Sequence, residues 1–314
     1  MRDAFIRSLS EAAQTHPQLM LITGDLGFGV LADFASRFPK QFLNAGVAEQ
    51  NMTAMACGLA LEGHKVFTYS IANFSTLRCL EQLRNDVCYH KADVTAVSVG
   101  GGFSYGQLGM SHFATEDIAI LRALPGITVS APTGIWEAEE ATKAIIAKGG
   151  PAYLRLDKGF ARSDARPDEL FVMGKSRCLR EGTDVCFIAT GAVLLEAQKA
   201  ADILAEDSIS ARVISMHTIK PLDSAAVIDA ALTCGGIITV EEHNVLGGLG
   251  GAVAETCLEA GAIPAFFARV GIQDIFPSVV GDQNYLRNRY GMSAEIIAKR
   301  VREKLSVPHA GHNR

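Results

Sequence analysis

The sequence predicts an α/β protein made of two doubly wound domains with mainly parallel sheets. Three observations carry this. Short runs rich in β-branched and aromatic residues alternate with longer segments of helical periodicity, the pattern of βα units on a parallel sheet. A polar, turn-rich stretch at 159–183, with Arg162 to Leu170 at its heart, then interrupts the alternation and reads as a linker. Beyond it the alternation resumes. The expected divisions are therefore a first domain at 1–158, a linker at 159–183 and a second, smaller domain at 184–314, and 314 residues suffice for two separate cores.

Taken in order, Met1 to Gln14 has the apolar spacing of an amphipathic helix. Strands are expected at Leu19 to Gly24, Lys65 to Ser70, Asp93 to Val99, Gly126 to Pro132 and Ala152 to Leu156, and a helix at Gln50 to Leu61. In the second series the strands are Asp184 to Gly191, Ala211 to Met216, Gly236 to Glu242 and Ala265 to Ile272. Helical segments at Ala192 to Leu204 and Gly250 to Ala260 separate them. Residues 307–314 are polar and are expected to fray.

Composition excludes several functions. A net charge of -5 and a pI near 5.9 argue against a surface for nucleic acid or anionic membrane. No apolar run approaches the length of a membrane span, and the N-terminal helix lacks a signal-peptide core, so a soluble cytoplasmic protein is expected. The seven cysteines, Cys57, Cys79, Cys88, Cys178, Cys186, Cys234 and Cys257, include no C-x-x-C pair. They read as small buried hydrophobes in a reducing compartment.

The most informative stretch is Asn44 to Met52, Asn-Ala-Gly-Val-Ala-Glu-Gln-Asn-Met, which sets Glu49 between a Gly-containing turn and a helix. Three further blocks accompany it: Gly24 to Gly27 (GDLG), Asn73 to Asp86 (NFSTLRCLEQLRND) and Val240 to Gly250 (VEEHNVLGGLG). In this order and spacing the blocks resemble the transketolase family, above all the C-terminal half of a split transketolase, with deoxyxylulose-phosphate synthases close behind. The resemblance covers nearly the whole chain. It implies a thiamine-diphosphate pyrimidine-binding domain followed by a transketolase C-terminal-like domain.

The same resemblance implies roles for individual residues. Glu49 would hydrogen-bond N1′ of the aminopyrimidine of thiamine diphosphate and so activate the cofactor. A carboxyl group in a largely apolar cleft, where its neutral form is favoured, suits that task. Asp25 and Leu26, in the GDLG block, belong to an aminopyrimidine-side element, and Phe74 would stack on the ring. His112 would face the carbonyl and hydroxyl oxygens of the substrate, where an imidazole can donate to a developing alkoxide. Gln107 and Leu108 stand where the family has an acidic pair, which removes a hydrogen-bond acceptor for a sugar hydroxyl and points to a less hydroxylated ketose, a deoxy or modified sugar, or a 2-oxoacid. Tyr105 could restore a polar contact or simply pack. Lys158, in place of a family arginine, keeps a positive charge for an anionic group without the bidentate fork; a solvated lysine is the alternative. Arg78 and Asp86 are expected on one helix, holding that helix or a subunit contact. The glycines Gly248, Gly250 and Gly251 are expected at a subunit interface, and His243 is not expected to be catalytic.

No metal ligand is expected in this chain. The Gly-Asp-Gly signature by which the family holds the diphosphate through Mg2+ is missing. The resemblance therefore implies a partner, an N-terminal transketolase-like subunit carrying the diphosphate and metal, in a heterotetramer with the active site between chains. The reaction implied is transfer of a two-carbon ketol unit from a ketose to an aldehyde. A β subunit of a 2-oxoacid dehydrogenase E1 component, or a non-catalytic regulatory subunit, remain alternatives.

Overall fold

The computed structural model describes residues 1–306, so the expectation for 307–314 lies outside it. The first part of the chain runs α1 (Arg2–Ala13), β1 (Leu19–Thr23), α2 (Ala32–Arg37), β2 (Phe42–Asn44), α3 (Glu49–Leu61), β3 (Lys65–Ile71), α4 (Ala72–Ser75), α5 (Leu80–Gln82), β4 (Val94–Val99), α6 (Asp117–Arg122), β5 (Thr128–Ser130), α7 (Ile135–Lys148) and β6 (Ala152–Leu156). The second runs β7 (Arg177–Arg180), β8 (Val185–Ala189), α8 (Leu194–Glu206), β9 (Ala211–Ser215), β10 (Thr218–Lys220), α9 (Ser224–Thr233), β11 (Ile237–Asn244), α10 (Leu249–Glu259), β12 (Phe267–Ile272), α11 (Gln283–Arg289) and α12 (Ala294–Ser306).

Two sheets result, of seven strands in the order β10-β5-β6-β4-β3-β1-β2 and of five in the order β12-β11-β8-β9-β7. Each is parallel except for one antiparallel edge, β10 in the first and β7 in the second. Every residue of β4, β6 and β8 is buried, because helices cover both faces of a parallel sheet; β8 is accordingly a continuous apolar run, while β4 and β6 also bury Thr95, Ser98 and Arg155. On α1 the buried residues include Phe5, Leu9 and Ala13, spaced four apart, with Phe5 stacked on Tyr69 of β3 at 6.2 Å.

Three strands were not expected: β2, β7 and β10 have only three or four residues, too few for a period to show. Two of them alter the expected divisions. β7 lies inside the stretch expected to be linker, yet it pairs with β9. β10 lies beyond the linker, yet it completes the first sheet by pairing Thr218 with Ser130. β10 thus joins the second part of the chain to the first sheet, and the two parts share apolar core as well: Phe103 and Phe113, from the loop after β4, are fully buried in the cluster formed by Phe187, Val193, Leu286 and Met292 of the second domain.

Two of the glycines after β11 are held close to this chain's own side chains. A Cβ at Gly248 would lie 2.1 Å from Glu241 Oε2, and one at Gly250 would lie 2.7 Å from Thr239 Oγ1. Glu241 accepts from the backbone N–H groups of Leu249 and Gly250 at 2.7 and 2.8 Å. Close packing of α10 on β11, with a carboxylate at the helix N-terminus, accounts for Gly248 and Gly250. All seven cysteines are free, six of them buried and Cys178 half-buried. No helix among the described residues is long and apolar enough to cross a membrane.

Candidate active site

Parallel strands present their C-terminal ends along one edge of a sheet, where connecting loops collect ligand-binding groups. Here the loops after β6, β4, β3, β1 and β2, five consecutive strands of the first sheet, carry the residues singled out from the sequence. β1 is followed by Gly24, whose α-carbon approaches so closely that an added Cβ would meet Glu49 Cγ at 3.3 Å. Glu49 opens α3 and is 2% exposed. Asp25, at φ +57°, and Leu26 follow in the same turn. The Asp25 side chain accepts from Asn44 Nδ2 at 2.9 Å, and the Leu26 carbonyl accepts from Thr23 Oγ1 at 3.0 Å. Both residues help shape the turn beside Glu49.

The cleft around Glu49 is less apolar than expected. Arg78 Nη1 donates to Glu49 Oε2 at 2.7 Å, and Ser70 Oγ approaches Oε1 at 3.5 Å. The guanidinium of Arg78 also lies over the ring of Phe74, 4.2 Å from its centroid, a cation–π contact. Arg78 and Asp86 were expected on one helix, but the helical path changes type between them, from a 3-10 turn at Leu77–Cys79 to a π-helical segment at Leu83–Cys88. The chain breaks at Thr76, which adopts φ -123° and ψ -81°. The break aims Arg78 back into the cleft, while Asp86 stays on the π segment, where its carbonyl accepts from Cys57 Sγ. Irregular helix of this kind recurs at functional sites. Arg78 is the site residue that sequence reasoning missed. Its place in the same short motif as Phe74 was the available signal.

The remaining residues continue the row. His112 meets the Phe74 ring edge-on at 5.2 Å and lies 6.3 Å from the ring of Tyr105, and its Nδ1 is 2.9 Å from Ser111 Oγ. Burial, with a smaller contribution from the Arg78 charge, holds the His112 pKa below the ordinary histidine value. Lys158 Nζ stands 3.9 Å above the Tyr105 ring. Burial first, then Arg2, lowers the Lys158 pKa, and burial raises that of Tyr105. Gln107 is exposed on the 3-10 turn Gly106–Leu108 of the same loop, and Leu108 beside it is 55% exposed. The structure thus brings Glu49, Arg78, Phe74, His112, Tyr105 and Lys158 into one row of contacts, with Asp25 and Leu26 at one end and Gln107 at the rim.

This row offers a buried carboxylate, an aromatic face and a weakly basic imidazole, which fit the aminopyrimidine half of thiamine diphosphate and the oxygens of a substrate. Among the described residues there is no group of three or more His, Cys, Asp or Glu able to hold a metal ion. Comparison with known proteins shows the family. Residues 1–163 match the transketolase pyrimidine binding domain, and residues 174–297 match the transketolase C-terminal domain. The chain belongs to the transketolase family. A 6-deoxy-6-sulfo-D-fructose transketolase subunit from Clostridium sp. is 36% identical to it, over 96% of this chain and 94% of that one. An apulose-4-phosphate transketolase subunit from Phocaeicola vulgatus is 37% identical, over 96% of both. Among solved structures, a split gene transketolase in an inactive β4 tetramer superposes with a TM-score of 0.86 at 34% identity, covering 97% of both chains. Transketolase-type transferase chemistry, performed as a subunit of a thiamine-diphosphate enzyme, follows from this membership.

Proposed function

We propose that this chain is the C-terminal subunit of a split transketolase. It would move a two-carbon ketol unit from a ketose to an aldehyde, and would turn over only with an N-terminal subunit that holds the diphosphate and its Mg2+, in a heterotetramer. The observation that carries this reading is the buried Glu49 carboxylate, linked through Arg78 to the half-buried ring of Phe74. Thiamine diphosphate supplies, when bound, the carbon nucleophile that attacks the donor carbonyl. Glu49 shares a proton with a ring nitrogen of the aminopyrimidine, and Phe74 presents its face to that ring. His112, with its lowered pKa, is neutral at pH 7 and donates one N–H to a substrate oxygen.

The donor end is marked by what the rim displays. Gln107 and Leu108 replace a carboxylate pair, which favours a donor with fewer hydroxyls to satisfy there. Lys158 contributes a cation, and the relatives named for sulfo-fructose and apulose-4-phosphate act, by those names, on sugars with an anionic group. A modified ketose carrying an anionic end therefore fits best. The deciding experiment is calorimetric titration of thiamine diphosphate with Mg2+ into the chain alone and into the chain with its partner. Binding confined to the pair is expected, with Glu49→Gln in the pair lowering turnover by a factor of about 10² or more. Tight binding to the isolated chain, or unchanged turnover in Glu49→Gln, overturns the proposal.

A further inference from the structure

The loop between β4 and α6, residues 100–116, carries Tyr105, Gln107 and His112, yet the second domain holds it at its base, its flanks and its tip. At the base, Gly102 and Ala114 exchange backbone hydrogen bonds of 3.0 and 3.1 Å, closing the loop. Glu242 of β11 sits directly beneath. Its Oε1 accepts from the backbone N–H of Phe103 at 2.5 Å and from Gln283 Nε2 at 2.8 Å, and its Oε2 pairs with Arg287. A Cβ on Gly102, which has φ +56°, would lie 2.5 Å from Glu242 Oε1, so only glycine lets the backbone approach the carboxylate this closely. Arg155 Nη2 joins the two sides by donating to the carbonyls of Ala114 and Glu242 at 2.9 and 3.0 Å. The flanks of the loop are the rings of Phe103 and Phe113, seated in the second-domain core. Near the tip, Gly281 donates to the Gly106 carbonyl at 3.1 Å.

We propose that Glu242 is a positioning residue for the substrate loop, so that the second domain sets the placement of His112, Tyr105 and Gln107. Glu242 is 2% exposed and Arg287 5% exposed. A buried carboxylate keeps its place only with its full set of donors, and one of those donors is the loop backbone itself. A shift of the loop would cost this buried carboxylate one of its three donors, leaving Gln283 and Arg287, and Glu242 cannot move without releasing Phe103. Backbone placement then passes along the ten residues from Phe103 to His112, which are tied by 3-10 hydrogen bonds from Gly106 to Phe103, Leu108 to Tyr105 and His112 to Gly109. The catalytic carboxylate Glu49 stands outside this path, on α3.

The inference rests on the transketolase reading for its consequence in turnover, and its test separates the two. In the complex with the partner subunit, Glu242→Ala should raise KM for the donor or lower kcat/KM by a factor of about 10 to 100, the scale for a misplaced binding group, with cofactor affinity within twofold of wild type. Hydrogen–deuterium exchange on the same complex should rise at 103–114 and stay unchanged at 49–61. Gln283→Ala, which removes one half-buried donor and leaves the carboxylate paired with Arg287, should move both readouts in the same direction by less, and serves if Glu242→Ala does not fold. Loss of thermal stability with kcat/KM and loop exchange unchanged in Gln283→Ala or Glu242→Ala overturns the inference. An inactive wild-type complex would instead refute the transketolase reading, and the exchange experiment would still decide whether Glu242 holds the loop.

Discussion

At the scale of single residues, the contact that most alters the sequence-based picture is Arg78 on Glu49. The carboxylate is 2% exposed, while the arginine side chain is 43% exposed, so solvent screens one partner and not the other. The pair is worth more than a surface ion pair because removing the guanidinium leaves a buried carboxylate with Ser70 at 3.5 Å as its remaining side-chain donor. A double-mutant cycle of Arg78→Met and Glu49→Gln, measured by urea unfolding of the free chain, should give a coupling energy of about 1–3 kcal/mol; additive effects would show that the two side chains do not interact. Glu49, Phe74 and His112 were legible in the sequence because short motifs carried them. Arg78 lies in one of the same motifs, but its role depends on a backbone break at Thr76 that no hydrophobic period encodes.

At the scale of elements, the stretch 159–176 is anchored more firmly than a linker needs. Arg177, at the start of β7, donates to Glu137 Oε1 of α7 at 2.7 Å and to Glu169 Oε1 at 2.7 Å, and its guanidinium lies over the Trp136 ring at 4.5 Å. Glu137 is fully buried, so Arg177→Met should destabilise the chain by about 3–5 kcal/mol, the cost of stranding a buried charge. The Arg177 hydrogen bond holds the Glu169 carboxyl down at about 2, below the ordinary glutamate range. A depressed pKa means that this contribution is fully present above the unfolded value and is lost as pH falls toward 2. Arg177→Met should therefore flatten the loss of stability between pH 4.5 and 2, measured by chemical unfolding across that window, and an unaltered slope would refute the pairing. Strands of five or more residues announced themselves by composition, as Ala152–Leu156 did to the residue. β7 was hidden because four residues, two of them arginine, read as polar linker when seen without the β9 strand that pairs with them.

At the scale of the whole molecule, two domains that look sequential in the chain are interlocked, and His217 stands at the crossing. It occupies the step between β9, in the second sheet, and β10, in the first. The backbone carbonyl of His217 accepts from Ser130 Oγ and from the Ala131 N–H, both at 2.9 Å, so the residue itself ties one sheet to the other. Its ring is stacked on Phe171 at 4.3 Å, with Nδ1 2.9 Å from Thr218 Oγ1. The side chain is 1% exposed, and this burial lowers its pKa, outweighing the carboxylates of Glu137, Asp223 and Glu169, which raise it, while Arg177 adds to the lowering. The sign follows from linkage: the unfolded chain binds the proton more readily than the folded one, so stability is fully present above the unfolded pKa of about 6.5 and falls as pH drops below it. His112 has a lowered pKa as well and adds to the same slope. Replacing His217 by Phe keeps a ring on Phe171 and removes the titrating group, so the variant should lose less stability than wild type between pH 7 and 5 while retaining part of the slope from His112. Urea unfolding at intervals across that range measures both curves, and parallel curves would mean that the crossing between the two sheets does not sense protonation.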